Sequence, residues 1–500
     1  MKILSAEQTR SWDQATMLKQ GISSQMLMER AAHACFTWIQ SKYPSDTPFL
    51  VICGTGNNGG DGLAISRLLI EKGYPISTLI LQLSTHLSPD CQANYQALSQ
   101  TPGASLQVLH PGNFLEELPS GIIVIDAIFG TGLNRMTEGY AEQFIQKINA
   151  FSNTVISIDL PSGLAGDMIF PEDAAIINAD HTLTFQQYKL SMLLPETGQH
   201  CGEIHLIDIN LAPDFLESAD SYRQINDLYE LNRNYKPRQR FSHKGTYGTA
   251  MIIGGSHGMM GAPALAVNAA GRSGAGKVIS LVPECGYEIM QLLAPEALCH
   301  YSGKLFLDSI SIPEGVNAIA VGPGMGTDPN TVKGFASFLK SRSIPLVLDA
   351  DALNILGKHP ELQSLIPAHA ILTPHPRELE RLFGKTSDSM ERENQVRQKA
   401  MELQCIIIAK NAYTLIGLPD GRCIYNISGS AALATAGSGD VLCGLITGLL
   451  AQGYAPEQAA LLGVYLHGRA GELAGAAMGL EAVLAADISA YIGKAFKSLS

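Results

Sequence analysis

Phe49-Leu50-Val51-Ile52-Cys53-Gly54-Thr55-Gly56-Asn57-Asn58-Gly59-Gly60-Asp61-Gly62 joins an apolar run to a glycine-rich turn, and a helical pattern, Leu63 to Glu71, follows at once. A short run that is apolar at every position suits a strand buried on both faces, as in a parallel sheet. Five glycines in the ten residues from Cys53 let the backbone approach a ligand closely, so its amides can cradle a diphosphate. The spacing is not G-x-G-x-x-G, because Asn57 and Asn58 interrupt it.

The same order of strand, glycine turn and helix recurs along the chain. Before residue 210, strands are expected at Phe49–Cys53, Ile76–Leu81, Gly121–Ile125 and Val155–Ile158, with the helix Gln25–Gln40 covering one face. After residue 240 they are expected at Thr249–Ile253, Val278–Val282, Ala318–Val321, Leu346–Leu348, Ala370–Leu372 and Cys405–Ala409. Between them, Pro213 and the basic cluster Asn232 to Arg238 break the pattern and read as a linker. Two open α/β domains result, residues 1–220 and 230–500, with ligands at the C-terminal ends of the strands.

Bulk properties narrow the function. A chain of 500 residues with 46% hydrophobic and 16% charged residues is globular and too long for one core. Its formal net charge of −12 argues against general nucleic-acid binding, which needs a cationic surface. Nine cysteines without a C-x-x-C pair give neither a disulfide ladder nor a zinc spacing, and read as buried small hydrophobes. Polar residues follow Met1-Lys2-Ile3-Leu4 and no apolar stretch has membrane-spanning length, so a cytoplasmic protein that does not enter a membrane is expected.

Three strand ends in the first half carry oxygen-bearing side chains: Asn58, then Asp126 before Gly130-Thr131-Gly132-Leu133, then Asp159 with Ser162. Each alone reads first as a turn-former or helix cap; their recurrence on three strands marks a site. In the second half, glycine turns at Gly254–Gly261 and Gly322–Gly326 precede Asp349-Ala350-Asp351 and Thr373-Pro374-His375-Pro376. His375, held between two prolines, suits a substrate contact or a structural hydrogen bond better than a metal. Ala434 to Gly444 then places Asp440 where a helix starts, after Gly437-Ser438-Gly439. Amides at a helix N-terminus favour an anion, and a carboxylate beside them suits proton transfer; a glycine turn with Asp as N-cap is the simpler alternative.

The strings M-E-R-A-A (Met28–Ala32), G-N-N-G-G-D-G (Gly56–Gly62), D-A-I-F-G-T-G-L (Asp126–Leu133) and D-L-P-S-G-L (Asp159–Leu164) closely resemble the NAD(P)H-hydrate epimerase domain, over roughly the first 210 residues. That resemblance implies a Rossmann-like three-layer sandwich and a potassium ion on Asn58, Asp126 and Ser162. It also implies hydrated dinucleotide at Asn57, Asn58, Gly59, Gly60 and Asp61 and at Gly130, Thr131, Gly132, Leu133, Asn134, Arg135 and Met136, with Asp159 as contact and acid/base. From about Arg240 onward, P-G-M-G, D-A-D-A-L-N, T-P-H-P-x-E and G-S-G-D-V-L-x-G occur in an order that resembles the ribokinase-like, ADP-dependent NAD(P)H-hydrate dehydratase. There the resemblance implies substrate at Ala262, Gly324, Gly326 and His375, and ADP with Mg²⁺ at Lys410, Asn411, Ala412, Tyr413 and Thr414 and at Gly437, Ser438 and Gly439. It implies a catalytic Asp440. Asn411 stands where glycine is usual and Ser430 where asparagine is, departures that point to lower dehydratase activity or an altered nucleotide preference.

The implied function is repair of hydrated NADH and NADPH, epimerisation in the first domain and ADP-dependent dehydration of the S epimer in the second, by a homo-oligomer. The alternative is a vitamin or sugar kinase fused to a non-catalytic dinucleotide-binding module.

Overall fold

The computed structural model describes residues 1–340 and 344–499. It separates into two compact units, Lys2–Ser221 and Met1 with Tyr222–Ser500.

The first unit is a seven-stranded parallel sheet of β1 (Phe49–Cys53), β2 (Ile76–Leu81), β3 (Leu106–Leu109), β4 (Ile123–Ala127), β5 (Val155–Ile158), β6 (His181–Phe185) and β7 (Glu203–Ile207), in the order β3-β2-β1-β4-β5-β6-β7. Alternate residues face opposite cores. Val51 and Cys53 pack with the helix Ser24–Lys42, whereas Leu50 and Ile52 pack with Phe144, Ile145 and Ile148 of the helix Gly139–Asn149. The sandwich therefore has three layers, and β1 at its centre is apolar at every position because both faces are covered. Strand order reverses between β1 and β4, which opens a crevice above their C-terminal ends.

The glycine run behaves differently from its sequence reading. The helix expected from Leu63 begins at Asn57, so Gly59, Gly60 and Gly62 are its first turns. A Cβ on Gly59 would stand 2.0 Å from the Gly54 carbonyl oxygen, one on Gly60 2.8 Å from Met28 Sδ, and one on Gly62 2.6 Å from Ala127 Cβ. These glycines let the helix lie against the sheet and its neighbour. Only Gly56, the N-cap, faces open space.

The second unit holds β8 (Arg223–Ile225), β9 (Thr249–Ile253), β10 (Lys277–Val282), β11 (Leu298–Tyr301), β12 (Ala318–Val321), β13 (Leu346–Leu348), β14 (Ile371–Leu372), β15 (Ile406–Ala409), β16 (Thr414–Gly417) and β17 (Cys423–Asn426), ordered β11-β10-β9-β12-β13-β14-β15-β16-β17-β8. Strands β11 through β15 are parallel; β16 runs antiparallel to both β15 and β17. The order reverses between β9 and β12. The helix Ser438–Ala451 is buried almost all round, and its Gly444 and Gly448 would put a Cβ 1.9 Å from the Ala266 carbonyl oxygen and from Ser273 Oγ. That close approach to the helix Gly261–Arg272 fixes where the N-terminus of Ser438–Ala451 points.

The stretch from 210 to 240 is structured. It contains the helices Pro213–Ser218 and Leu228–Asn234, with β8 between them paired in parallel to β17. The side chain of Arg223 from β8 reaches Glu393 at 2.8 Å, whose carboxylate is 1% exposed.

Candidate active sites

In the first unit, β4, β5 and the helix after β1 bring the carboxylates together. Asp126 ends β4 and is 1% exposed. Its Oδ1 accepts from Ser162 Oγ at 2.5 Å and Ile128 N at 3.3 Å, and its Oδ2 accepts from Ser157 Oγ and Ser162 N, both at 2.8 Å. Burial pushes the carboxyl upward, while these donors pull it back toward ionisation. Ser162 Oγ also accepts from Phe129 N at 2.8 Å and lies 3.3 Å from the Phe129 carbonyl oxygen. Asn58 is buried and its Nδ2 has no partner.

Asp159 has a positive φ of 65°, a conformation that costs a non-glycine residue energy and is found preferentially at functional sites. Its Oδ2 accepts from Thr131 N at 3.2 Å and its Oδ1 from Lys189 Nζ at 2.6 Å. Lys189 also donates to Thr184 Oγ1 at 2.7 Å and the Phe185 carbonyl at 3.1 Å, so all three of its protons are placed. At Gly130 a Cβ would sit 3.2 Å from both Asn58 Oδ1 and Asp159 Oδ2, so a bare backbone is what lets those two side chains converge.

Asn58, Gly130 and Asp159 line a cleft of about 980 Å³ together with Asn57, Asp61, Thr131, Gly132, Leu133, Asn134, Arg135 and Met136, whereas Asp126, Ser162 and Lys189 lie behind its wall. Gly59 and Gly60 are not in its wall; they are spent on packing. Two further acids stand there. Burial, then Asp159, raises Asp13 to about 6, with Lys189 opposing; burial, then Asp159 and Asp13, raises Asp61 well above the carboxylate range.

In the second unit, Gly437 is the N-cap of Ser438–Ala451 with φ 89°, and Asp440 lies in the first turn rather than at the cap. Burial above all, then Asp349, raises Asp440 to about 7, against the pull of Lys410. Lys410, at the end of β15, donates to Asp349 Oδ1 at 3.0 Å, and a Cβ on Gly439 would stand 3.2 Å from its Nζ. One ammonium thus lies beside the glycine turn at a helix N-terminus, an arrangement suited to an anion. Glu378 is raised to about 7 by burial, with Lys410 opposing.

His375 caps the helix Pro376–Phe383. Its Nδ1 accepts from Arg377 N at 3.1 Å and Glu378 N at 3.4 Å, while Glu378 Oε2 accepts from His375 N at 2.9 Å. Burial and then Lys410 lower its pKa, so the ring is neutral at pH 7. Ala262, Gly324 and Gly326 gather above β9 and β12: a Cβ on Gly324 would lie 3.3 Å from Ala262 Cβ, and Gly326 N donates to Asp351 Oδ2 at 2.8 Å. Lys410 to Thr414 form the turn from β15 into β16, where Asn411 Oδ1 accepts from Ala412 N at 2.9 Å. Ser430 Oγ is buried without a partner.

Lys189, Asp13 and His467 carry no motif and were not legible beforehand. His467 is held neutral by burial, its pKa lowered to about 4, and its Nε2 lies 2.9 Å from the Ser438 carbonyl and 3.2 Å from Ser438 Oγ, which steadies the glycine turn.

Two α/β units, each with buried carboxylates gathered at the C-terminal ends of its parallel strands, define a fused, two-site enzyme. Residues 24–191 match the family of YjeF-related protein N-termini and residues 250–494 the NAD(P)H-hydrate dehydratase family. The chain is 31% identical to the bifunctional NAD(P)H-hydrate repair enzyme of Thermofilum pendens and 32% identical to that of Moorella thermoacetica, covering 100% of this chain and 97% of each relative. The corresponding Escherichia coli enzyme is 32% identical over 94% of this chain and 88% of its own length. An ADP/ATP-dependent NAD(P)H-hydrate dehydratase from Bacillus subtilis, crystallised with ATP and Mg²⁺, is 31% identical over 55% of this chain and 99% of that one, with a TM-score of 0.49. This chain belongs to the bifunctional NAD(P)H-hydrate repair enzymes.

Proposed function

We propose that the first unit interconverts the two epimers of hydrated NADH and NADPH and that the second dehydrates the S epimer at the expense of ADP. The observation that carries this reading is Asp440: a carboxyl raised to about 7 by burial, set in the first turn of a helix whose glycine turn adjoins Lys410. Asp440 takes the proton of the ring hydroxyl, the hydroxyl oxygen attacks the terminal phosphorus of ADP, and AMP leaves. The new phosphate ester then departs as inorganic phosphate, pushed out by the ring nitrogen lone pair, and the reduced nicotinamide is restored. Hydroxide is a poor leaving group and phosphate a good one. The amides of Gly437 and Gly439 and the Lys410 ammonium are available to the charge that builds on the transferred group, the Ser438 amide being taken by the Thr435 carbonyl at 3.3 Å. Mg²⁺ bound with the nucleotide would supply counter-charge to its phosphates.

In the first unit Asp159 is the acid/base. Lys189 holds the Asp159 carboxylate in place through a 2.6 Å contact, and Thr131 N fixes its second oxygen. Asn58, Asp126 and Ser162 fit a potassium ion, because they offer amide, carboxylate and hydroxyl oxygens beside the Phe129 carbonyl. The Asn58 amide nitrogen is orphaned; turned about its last bond, the side chain presents an oxygen there, which a cation satisfies. Bound there, the ion would supply a fixed positive charge.

The test is stoichiometry with a heavy-oxygen label on the hydrate hydroxyl. NADPH, AMP and inorganic phosphate should form in equal amounts with the label in the phosphate. Label released as water would contradict phosphoryl transfer.

A further inference from the structure

At the N-terminal ends of the parallel strands, opposite the ends that carry Asp126 and Asp159, β6 and the edge strand β7 begin with His181 and Glu203, which are register partners, and His205 follows on the same face. His181 Nδ1 lies 3.1 Å from His205 Nε2 and 3.4 Å from Glu203 Oε2, and His205 Nε2 lies 3.5 Å from that same oxygen. Ligands about 2.0–2.1 Å from a tetrahedral zinc stand about 3.3 Å from one another. The three atoms therefore have the spacing of one face of such a tetrahedron, and a bound ion would replace the proton of the His181–His205 hydrogen bond.

The surroundings hold the ligands ready. The Trp38 ring packs against both imidazoles, with centroids 5.3 Å from His181 and 4.6 Å from His205, so neither ring is free to swing away. Burial first, and then His181 and Lys42 against the pull of Glu203, lowers the pKa of His205 and keeps it in the neutral form that binds metals. Lys42, whose Nζ lies 5.9 Å from the Trp38 ring centroid, is the nearby cation that opposes an ion. Glu203 supplies the compensating charge, and its side chain, 65% exposed, opens the cluster to solvent.

We infer that His181, Glu203 and His205 form a binding site for a zinc-class divalent ion, separate from both catalytic sites, which ties β6 to β7 and keeps its fourth position for water or a small donor ligand. Two histidines and one carboxylate suit zinc, copper or nickel far better than magnesium or calcium.

The test uses the full chain, stripped with a chelator and titrated with Zn²⁺ against a chromophoric competitor, with Co²⁺ absorption as a second probe of a tetrahedral nitrogen and oxygen site. One ion per chain is expected, with affinity weakened at least about 10²-fold in Glu203→Gln and in His205→Gln. Zn²⁺ should also raise the melting temperature of the wild type and not of those variants. Glu203→Gln alters an exposed side chain, so it decides the matter even if His205→Gln folds poorly. Absence of stoichiometric binding, or binding unchanged in Glu203→Gln, overturns the site.

Discussion

Lys189 Nζ lies 2.6 Å from Asp159 Oδ1, an ion pair in which the two side chains are only 4% and 10% exposed. Coming from the segment after β6, the lysine fixes an acid on the segment after β5 that already sits in a left-handed backbone conformation. Lys189→Met keeps the volume and leaves Asp159 unpaired, which in a buried pair costs about 3–5 kcal/mol. Epimer interconversion should fall at least about 10-fold, with a lower melting temperature for the first unit and ADP-dependent dehydration of the S epimer retained. Unchanged interconversion would show that Asp159 needs no partner.

Asp440 gives a prediction with a definite sign. Its carboxyl is raised to about 7 from an ordinary 3.8, so the folded chain holds a proton that the unfolded chain has released between those values, and stability falls as pH rises through that window. Asp440→Asn should melt higher than the wild type at pH 8, and the difference should vanish below pH ~3.8, where Asp440 is protonated in both states. For the wild type, kcat/KM of the dehydration should rise with pH and level off above about 7. Asp440→Asn should lose at least about 10²-fold of that activity while still binding nucleotide. A flat pH profile would argue against a base at this position.

The potassium reading separates Asp126 from Ser162. Asp126→Ala removes the only formal charge of the set and also strands the Ser157 and Ser162 hydroxyls, so epimerisation and its dependence on potassium concentration should nearly disappear. Ser162→Ala should cost less, about 0.5–1.5 kcal/mol for one neutral oxygen. Epimerisation rates measured in potassium and in a large organic cation check both; a rate indifferent to the ion in the wild type contradicts the site.

Where the second unit starts bears on its stability. A fragment from Tyr222 keeps β8 and the Arg223–Glu393 pair, whereas one from residue 230 exposes the edge of β17 and leaves Glu393 buried without that cation. The longer fragment should be soluble and dehydrate the S epimer; the shorter should melt at least several degrees lower, since losing a buried pair costs about 3–5 kcal/mol. Equal melting temperatures would show that β8 adds nothing.

The alternation of buried strands with helices was legible because both faces of each central sheet are covered, which makes runs such as Phe49–Cys53 and Ile406–Ala409 apolar throughout. Strands β6 and β7 were not, because His181, Thr182, Thr184, Glu203 and His205 interrupt the apolar signal near the sheet edge. Asp126, Asp159 and Asp440 could be picked out from strand ends and glycine turns. Lys189, Asp13 and His467 could not, since each reaches its site by tertiary packing from a segment with no local pattern. The glycine run misled for a related reason: glycine permits close approach to a ligand and to protein backbone alike, and only the position of Gly54 beneath Gly59 decides which.

The central claim is that one chain carries two complementary repair steps, and the most direct measurement follows nicotinamide absorbance when purified protein meets an epimeric mixture of NADPH hydrate, with and without ADP. The wild type with ADP should convert the whole mixture to NADPH, and without ADP none of it. Asp159→Asn with ADP should stop after the S epimer is consumed. Full conversion by Asp159→Asn at the wild-type rate, or recovery of NADPH without any nucleotide, would contradict the account.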